Sequence, residues 1–148
     1  MDREILFRGK QENNDEWCTG LLVKTDKGNT LIINTAEELG CGICMEIFDR
    51  YKNYEVSPET VGQFTGLIDK NGNKVFEGDI IKYQINIKTA IVGKIVFLCG
   101  AFVFESEELE RECDIAFATF ADDVISFSQH CIEIIGNIHD NPEFLKGE

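Results

Sequence analysis

Residues 60–82 read T-V-G-Q-F-T-G-L-I-D-K-N-G-N-K-V-F-E-G-D-I-I-K, which sets four glycines, a hairpin turn and a strand start into one short segment. Asn71-Gly72, preceded by Asp69, predicts a tight hairpin because this pair supplies the positive-φ positions such turns need. Gly78-Asp79 predicts a turn that launches the strand Ile80-Ile81-Lys82-Tyr83-Gln84-Ile85. The segment therefore speaks first of fold.

Downstream, residues 90–97 and Ala101-Phe102-Val103-Phe104 are rich in β-branched and aromatic residues and are separated at Gly100, which predicts an antiparallel meander. The glycine inside the first of these strands, in V-G-K-I-V-F at 92–97, together with the Gly-Asp strand start before it, resembles the way small SH3-like barrels begin one strand and bend the next. Alternation along the strands would bury one face and leave Lys82, Gln84 and Lys94 pointing outward. Residues 131–138 return to strand, and Asp140-Asn141-Pro142-Glu143-Phe144-Leu145 predicts a brief terminal turn led by proline. Upstream, residues 4–8 and 17–23 read as short strands, and the turn Asp26-Lys27-Gly28-Asn29 joins the second of these to Thr30-Leu31-Ile32-Ile33. Residues 35–56 carry no decisive period: one helical turn fits at 36–39, stopped by Gly40 and Gly42. Phe117, Phe120, Ala121, Val124 and Ile125 recur at helical spacing and predict a short amphipathic helix over 116–126. The expectation is a single domain, 1–148, mainly β or β-dominated α+β. Its core is a small antiparallel sheet, either a partly open SH3-like barrel or a meander, with one or two short helices.

The 148 residues and 43% apolar content are enough for one core. The longest nearly unbroken apolar run, residues 95–104, is about half the roughly 20 residues a membrane-crossing helix needs, so no membrane association is expected. The first ten residues mix acidic and basic side chains without an apolar stretch, which fits neither a signal peptide nor a transit peptide and points to the cytosol. The six cysteines then read as reduced thiols. Cys41 and Cys44 have C-x-x-C spacing, which would provide two of the four ligands of a structural zinc, but no second pair completes the set. His130-Cys131 is a poor complement, because neighbouring strand residues point to opposite faces, and no metal or other cofactor is assigned.

Charge is the strongest deviation, with 14 basic against 27 acidic residues and a net of -13. Residues 1–74 carry 9 basic and 13 acidic, and residues 75–148 carry 5 and 14. No basic run exists to displace counterions from a phosphate backbone, so direct nucleic-acid binding is not expected. The acidic block E-S-E-E-L-E-R-E-C-D at 105–114 lacks the central glycine of an EF-type calcium loop and reads as a solvated loop or a one-turn helix capped by Ser106. Nor does the sequence contain a P-loop, a dinucleotide-type glycine motif, G-x-S-x-G or H-E-x-x-H, and no catalytic residue is assigned.

Three blocks taken together carry a resemblance. R-G-K at 8–10 followed by Trp17 and Gly20, the 60–81 segment, and I-I-G-N-I-H-D-N-P-E-F-L at 134–145 are similar to the YopX family, small proteins of phages and prophages. The resemblance spans nearly the whole chain and implies a β-rich domain encoded by a mobile element. It brings no catalytic residues. On the residues themselves, the glycines of the central block and the carboxylates Asp69 and Asp79 read as turn builders. The functional alternative is a polar recognition face formed by Thr60, Gln63, Thr65, Asp69, Glu77 and Asp79. The resulting expectation is a non-catalytic binding or regulatory module acting on a protein partner of host or phage. The alternatives are an acidic mimic of DNA that occupies a host DNA-binding protein, and a hydrolase with an acidic cleft. Homo-oligomerisation through exposed strand edges is compatible with so small a β-protein.

Overall fold

The computed structural model describes residues 4–33, 54–107, 115–116 and 129–146. They form ten strands: β1 (Phe7–Lys10), β2 (Trp17–Lys24), β3 (Thr30–Ile33), β4 (Gly62–Ile68), β5 (Lys74–Phe76), β6 (Asp79–Gln84), β7 (Ala90–Leu98), β8 (Ala101–Glu105), β9 (Ile115–Ala116) and β10 (Ile132–Asn137). The sheet orders are β3-β2-β1-β4-β5 and β10-β6-β7-β8-β9. All the registered pairs are antiparallel. Among the described residues neither sheet closes into a barrel, and the only helical elements are three short 3-10 turns. The fold is thus a β-dominated one, in its meander form. The helical turn at 36–39, the ambiguous stretch to residue 53 and Cys41 with Cys44 lie outside the described residues. So does most of the acidic block, and so does the helix expected over 116–126, apart from Ala116, which ends β9.

The chain divides into two compact units, Met1–Phe64 and Thr65–Glu148, with the division falling inside β4. In the first unit, β2 pairs with β1 through Trp17 to Gly20 and with β3 through Leu21 to Lys24. A short extended piece at 54–57 bonds to β3 on one side, Ile32 donating to Tyr54 and Val56 to Thr30. On the other side Ser57 donates to Lys10 and Glu12 to Glu55. The outer edge of β3 is therefore filled by the chain's own backbone, which removes an edge on which another molecule could add a strand. Gly9, the glycine of the R-G-K motif, has a packing role. A Cβ there would stand 3.1 Å from both Ile32 Cδ1 and Val56 Cβ, tighter than ordinary contact.

In the second unit β6, β7 and β8 form the meander, and β10 returns against β6. Alternation along β7 buries Ile91, Gly93 and Ile95 and leaves Val92, Lys94 and Val96 half-buried. The buried face joins Ile81, Tyr83, Phe102, Phe104 and Ile132 in one core, where the Tyr83 and Phe104 rings meet at 6.2 Å. On the other face Lys82 is exposed, as alternation predicts, and Lys94 reaches Glu105 at 2.9 Å across the β7–β8 pair. The free edge of β10 is covered as well: Lys70 N–H donates to Ile132 O at 2.9 Å.

The turns refine the expectation from Asn71-Gly72. Only Gly72 takes a positive φ, +86°, and Asn71 does not, so the tight two-residue turn is replaced by a longer one. Gly72 donates to Asp69 O and Asp69 N–H to Asn73 O, an arrangement in which one left-handed residue suffices. Thr25, Gly28 and Asn29 repeat it between β2 and β3. The two-residue turn with both φ values positive stands instead between β7 and β8, at Cys99 (+52°) and Gly100 (+83°). A cysteine there bears the left-handed cost that asparagine or glycine largely avoids. Cys99→Asn is expected to raise stability by about 0.5–1 kcal/mol in urea unfolding.

Candidate recognition surface

Among the six residues of the polar face expected from sequence, Thr60 and Gln63 lie in the first unit. The Thr60 hydroxyl donates to Ser57 O at 2.7 Å and accepts from Lys10 N–H at 2.9 Å, which pins the 3-10 turn Pro58–Thr60 onto β1. Gln63 is half-buried on β4, opposite Phe7. The other four lie in the second unit. Thr65 Oγ1 donates to Val75 O at 2.8 Å and accepts from Leu67 N–H at 3.1 Å. Asp79 is buried and its Oδ2 accepts from Phe76 N–H at 2.7 Å, closing the turn in which Gly78 has φ +85°. Glu77, beside it, is half-buried.

Asp69 shows most clearly what these side chains do. Its Oδ1 accepts from the N–H groups of Asn71 and Asn73, both at 2.9 Å, and its Oδ2 accepts from Ile134 N–H at 3.2 Å. One carboxylate thus shapes the hairpin and ties it to β10, next to the irregularity between Ile134 and Gly136. Burial alone would push the carboxyl pKa up, but the backbone donors of Asn73, Ile134 and Asn71, with the Asn73 side chain, outweigh it and hold it below the ordinary aspartate value. Lys70 adds an ion pair to Glu133 at 2.7 Å. Thr60, Thr65, Asp69 and Asp79 therefore direct side-chain oxygens at backbone groups of the fold. The C-terminal motif behaves alike. Asn137 Oδ1 accepts from His139 and Asp140 N–H groups, and Gly136 lies so close to Asn141 that a Cβ would come within 2.6 Å of its Oδ1.

A second surface, which the sequence reading did not single out, lies on β1 and β2 of the first unit. Register places Lys10 opposite Trp17 and Arg8 opposite Thr19, so Trp17, Thr19, Leu21 and Val23 share a face with the two cations. The Arg8 guanidinium lies over the Trp17 ring at 4.8 Å from its centroid and Lys10 Nζ at 5.8 Å, while Lys10 also reaches Asp15 at 3.5 Å. Beyond the ring the strip is open: Leu21 is 43% and Val23 37% exposed, with Thr19 exposed between Trp17 and Leu21. The reverse face of β2 is a packing face, where the Cys18 thiol donates to Gly9 O at 3.5 Å. Burial pushes the Cys18 pKa up, against the opposing effect of hydrogen bonds with the backbone of Cys18 and Gly9, so the thiol stays protonated rather than nucleophilic. The signal for this strip was alternation in W-C-T-G-L-L-V-K, obscured because Leu22 puts an apolar residue on the other face too.

Among the described residues no three or more His, Cys, Asp or Glu side chains gather in a way that could hold a metal ion, and no helix is long and apolar enough to cross a membrane. Fold and surface together define a β-sheet protein whose most distinctive sequence blocks build turns and whose outer face carries an aromatic–aliphatic strip. The profile of the family described as YopX protein matches residues 6–146, and the chain belongs to that family. Among solved structures, the crystal structure of protein EF1440 from Enterococcus faecalis is similar to it. The two are 24% identical, with a TM-score of 0.54 over 96% of this chain and 98% of that one. At that identity the likeness concerns the fold alone. No curated protein gives a significant match.

Proposed function

We propose that this chain is a non-catalytic binding module, of phage or prophage origin and acting in the bacterial cytosol, that engages a protein partner through the Trp17 strip. The observation that supports this is the composition and exposure of one sheet face: a cation-flanked tryptophan continuing into Leu21 and Val23. Tryptophan and arginine are the residue types that most often dominate binding energy, and strands already paired in a sheet, with Arg8 held over the Trp17 ring, present them at reduced ordering cost. The polar residues around Asp69 and Asp79 are the frame of the second unit in this reading rather than the contact.

The acidic-mimic alternative needs carboxylates spread over an open surface in place of phosphates. In the second unit, Asp69 and Asp79 are buried in turns, while Glu133 and Glu105 reach lysines at 2.7 and 2.9 Å. These observations favour the module. The test is affinity capture of the tagged protein from host cells, followed by titration of the purified partner. Leu21→Thr combined with Val23→Thr keeps β propensity and removes the apolar contact. It is expected to weaken binding about tenfold or more with Tm within about 2 °C of the parent. Unchanged affinity in that variant would remove the strip from the account.

A further inference from the structure

Asn71 is the one asparagine in the chain that is followed by glycine. The pair is chemically labile, because asparagine is among the side chains that fail first on ageing and a following glycine has no Cβ to keep its nitrogen away from the side-chain amide. Both residues are exposed. The main chain around them is nevertheless fully bonded. Asp69 N–H donates to Asn73 O at 2.8 Å, Lys70 N–H to Ile132 O at 2.9 Å and Gly72 N–H to Asp69 O at 3.0 Å. The N–H groups of Asn71 and Asn73 both donate to Asp69 Oδ1 at 2.9 Å. Every main-chain N–H from 69 to 73 therefore has an acceptor, although residues 70–73 lie in the open.

Deamidation at this pair needs those bonds broken. The Gly72 nitrogen must give its proton to hydroxide, and its electron pair must then reach Asn71 Cγ. The new N–C bond closes a succinimide ring, and the side-chain nitrogen departs as ammonia. Water adds to either ring carbonyl and opens it, to aspartate or, with the main chain rerouted through Cγ, to isoaspartate. While Gly72 N–H is bonded to Asp69 O its proton is retained, and the bonds to Asp69 Oδ1 on either side keep the 71–72 peptide from rotating. We propose that Asn71 is a site of spontaneous deamidation whose rate is set by opening of the 69–73 loop, with Asp69 as the positioning residue that keeps the loop closed. The consequence extends beyond the loop. Isoaspartate lengthens the main chain by one carbon inside a network fitted to its present length, and either product sets a second carboxylate two residues from Asp69, whose Oδ2 also holds Ile134 on β10 at 3.2 Å.

The test follows the folded full chain in mildly alkaline buffer, with peptide mapping by mass spectrometry and enzymatic detection of isoaspartate over time. Conversion is expected to be fastest at Asn71 among all the asparagines, and about tenfold or more slower there than at the same residue in the urea-unfolded chain. Asp69→Ala is expected to raise the folded-state rate about tenfold. Gly93→Ala is the control for global stability, because it crowds the buried Phe104 ring and leaves the loop's own bonds in place, and its rate is expected within about threefold of the parent's. Circular dichroism checks that each variant is folded. Asp69→Asn, which keeps one acceptor oxygen, is expected to fall between parent and Asp69→Ala and carries the comparison should the alanine variant not fold. Equal acceleration by the Asp69 and Gly93 variants would make global unfolding the route and overturn the role of Asp69, as would a parent rate equal to that of the unfolded chain. Conversion at Asn71 no faster than at the other asparagines once Asp69 is replaced would remove the site. The isoaspartyl form, separated by ion exchange, is expected to melt at a lower temperature than the parent, and an unchanged Tm would remove the link to β10.

Discussion

Gly93→Ala is expected to destabilise the protein by about 3 kcal/mol, which for a chain of this length lowers Tm by roughly 6–12 °C. The reason is space. Gly93 lies on β7 opposite Ile81, and a Cβ there would stand 2.4 Å from Glu105 O and 2.7 Å from Phe104 Cε2. The first of these atoms is backbone held in the β7–β8 ladder, and the second belongs to a fully buried ring at the centre of the core. Neither can retreat without opening the sheet or tilting Phe104 away from Tyr83. The origin of the effect is separable from backbone strain, because Gly28 and Gly66 have φ near +90° with nothing within 4 Å of a Cβ. Alanine at either is expected to cost about 1 kcal/mol, from conformation alone. Urea unfolding of the three variants checks the ordering. Phe104→Leu in the Gly93→Ala background is expected to recover part of the loss, since it withdraws one of the two clashing groups.

Asp69→Ala is expected to cost a similar amount, about 3 kcal/mol, through a different mechanism. It removes one side chain that serves three N–H donors, two in the 69–73 loop and one on β10, and leaves them without the carboxylate in a region with little access to water. The pH dependence follows from the direction of the pKa shift. The folded-state value lies below the ordinary 3.8, so the contribution is complete above about pH 3.8 and is lost as pH falls through the folded value. The stability gap between the parent and Asp69→Asn is therefore expected to be widest near neutral pH and to narrow below pH 3.8. Denaturation at pH 7 and pH 3 measures it. A gap that widened in acid would mean that the carboxylate is not the stabilising form.

These two residues also show how far the sequence could be read. Asp69 and the Asn71-Gly72 pair were legible as turn chemistry, because an aspartate two to four residues before free N–H groups has few other conformations to support. That Asp69 also holds Ile134 was not, since its partner lies 65 residues away and only the return of β10 brings it near. Gly93 was legible as a break in a strand, and the ring of Phe104 lying over it was not, because close approach leaves no local signature. The extents of β6, β7 and β8 were legible from runs of β-branched and aromatic residues punctuated at Gly78 and Gly100. For the polar face the difficulty was of another kind. Thr60, Thr65, Asp69 and Asp79 have the side chains of a recognition surface, and whether such groups face water or their own backbone depends on tertiary position. On β2, apolar residues at consecutive positions hid which face was open.

In the function proposed above, the family's most distinctive block is framework and recognition belongs to the face of β2. Amide chemical-shift mapping with the purified partner on the isotope-labelled chain tests it most directly. The largest changes are expected on Trp17, Thr19, Leu21 and Val23 with their β1 neighbours, while the 60–79 amides, Gln63 and Glu77 included, remain near their free positions. Changes concentrated at Gln63, Glu77 and the Asp69 and Asp79 turns, with β2 unmoved, would contradict it.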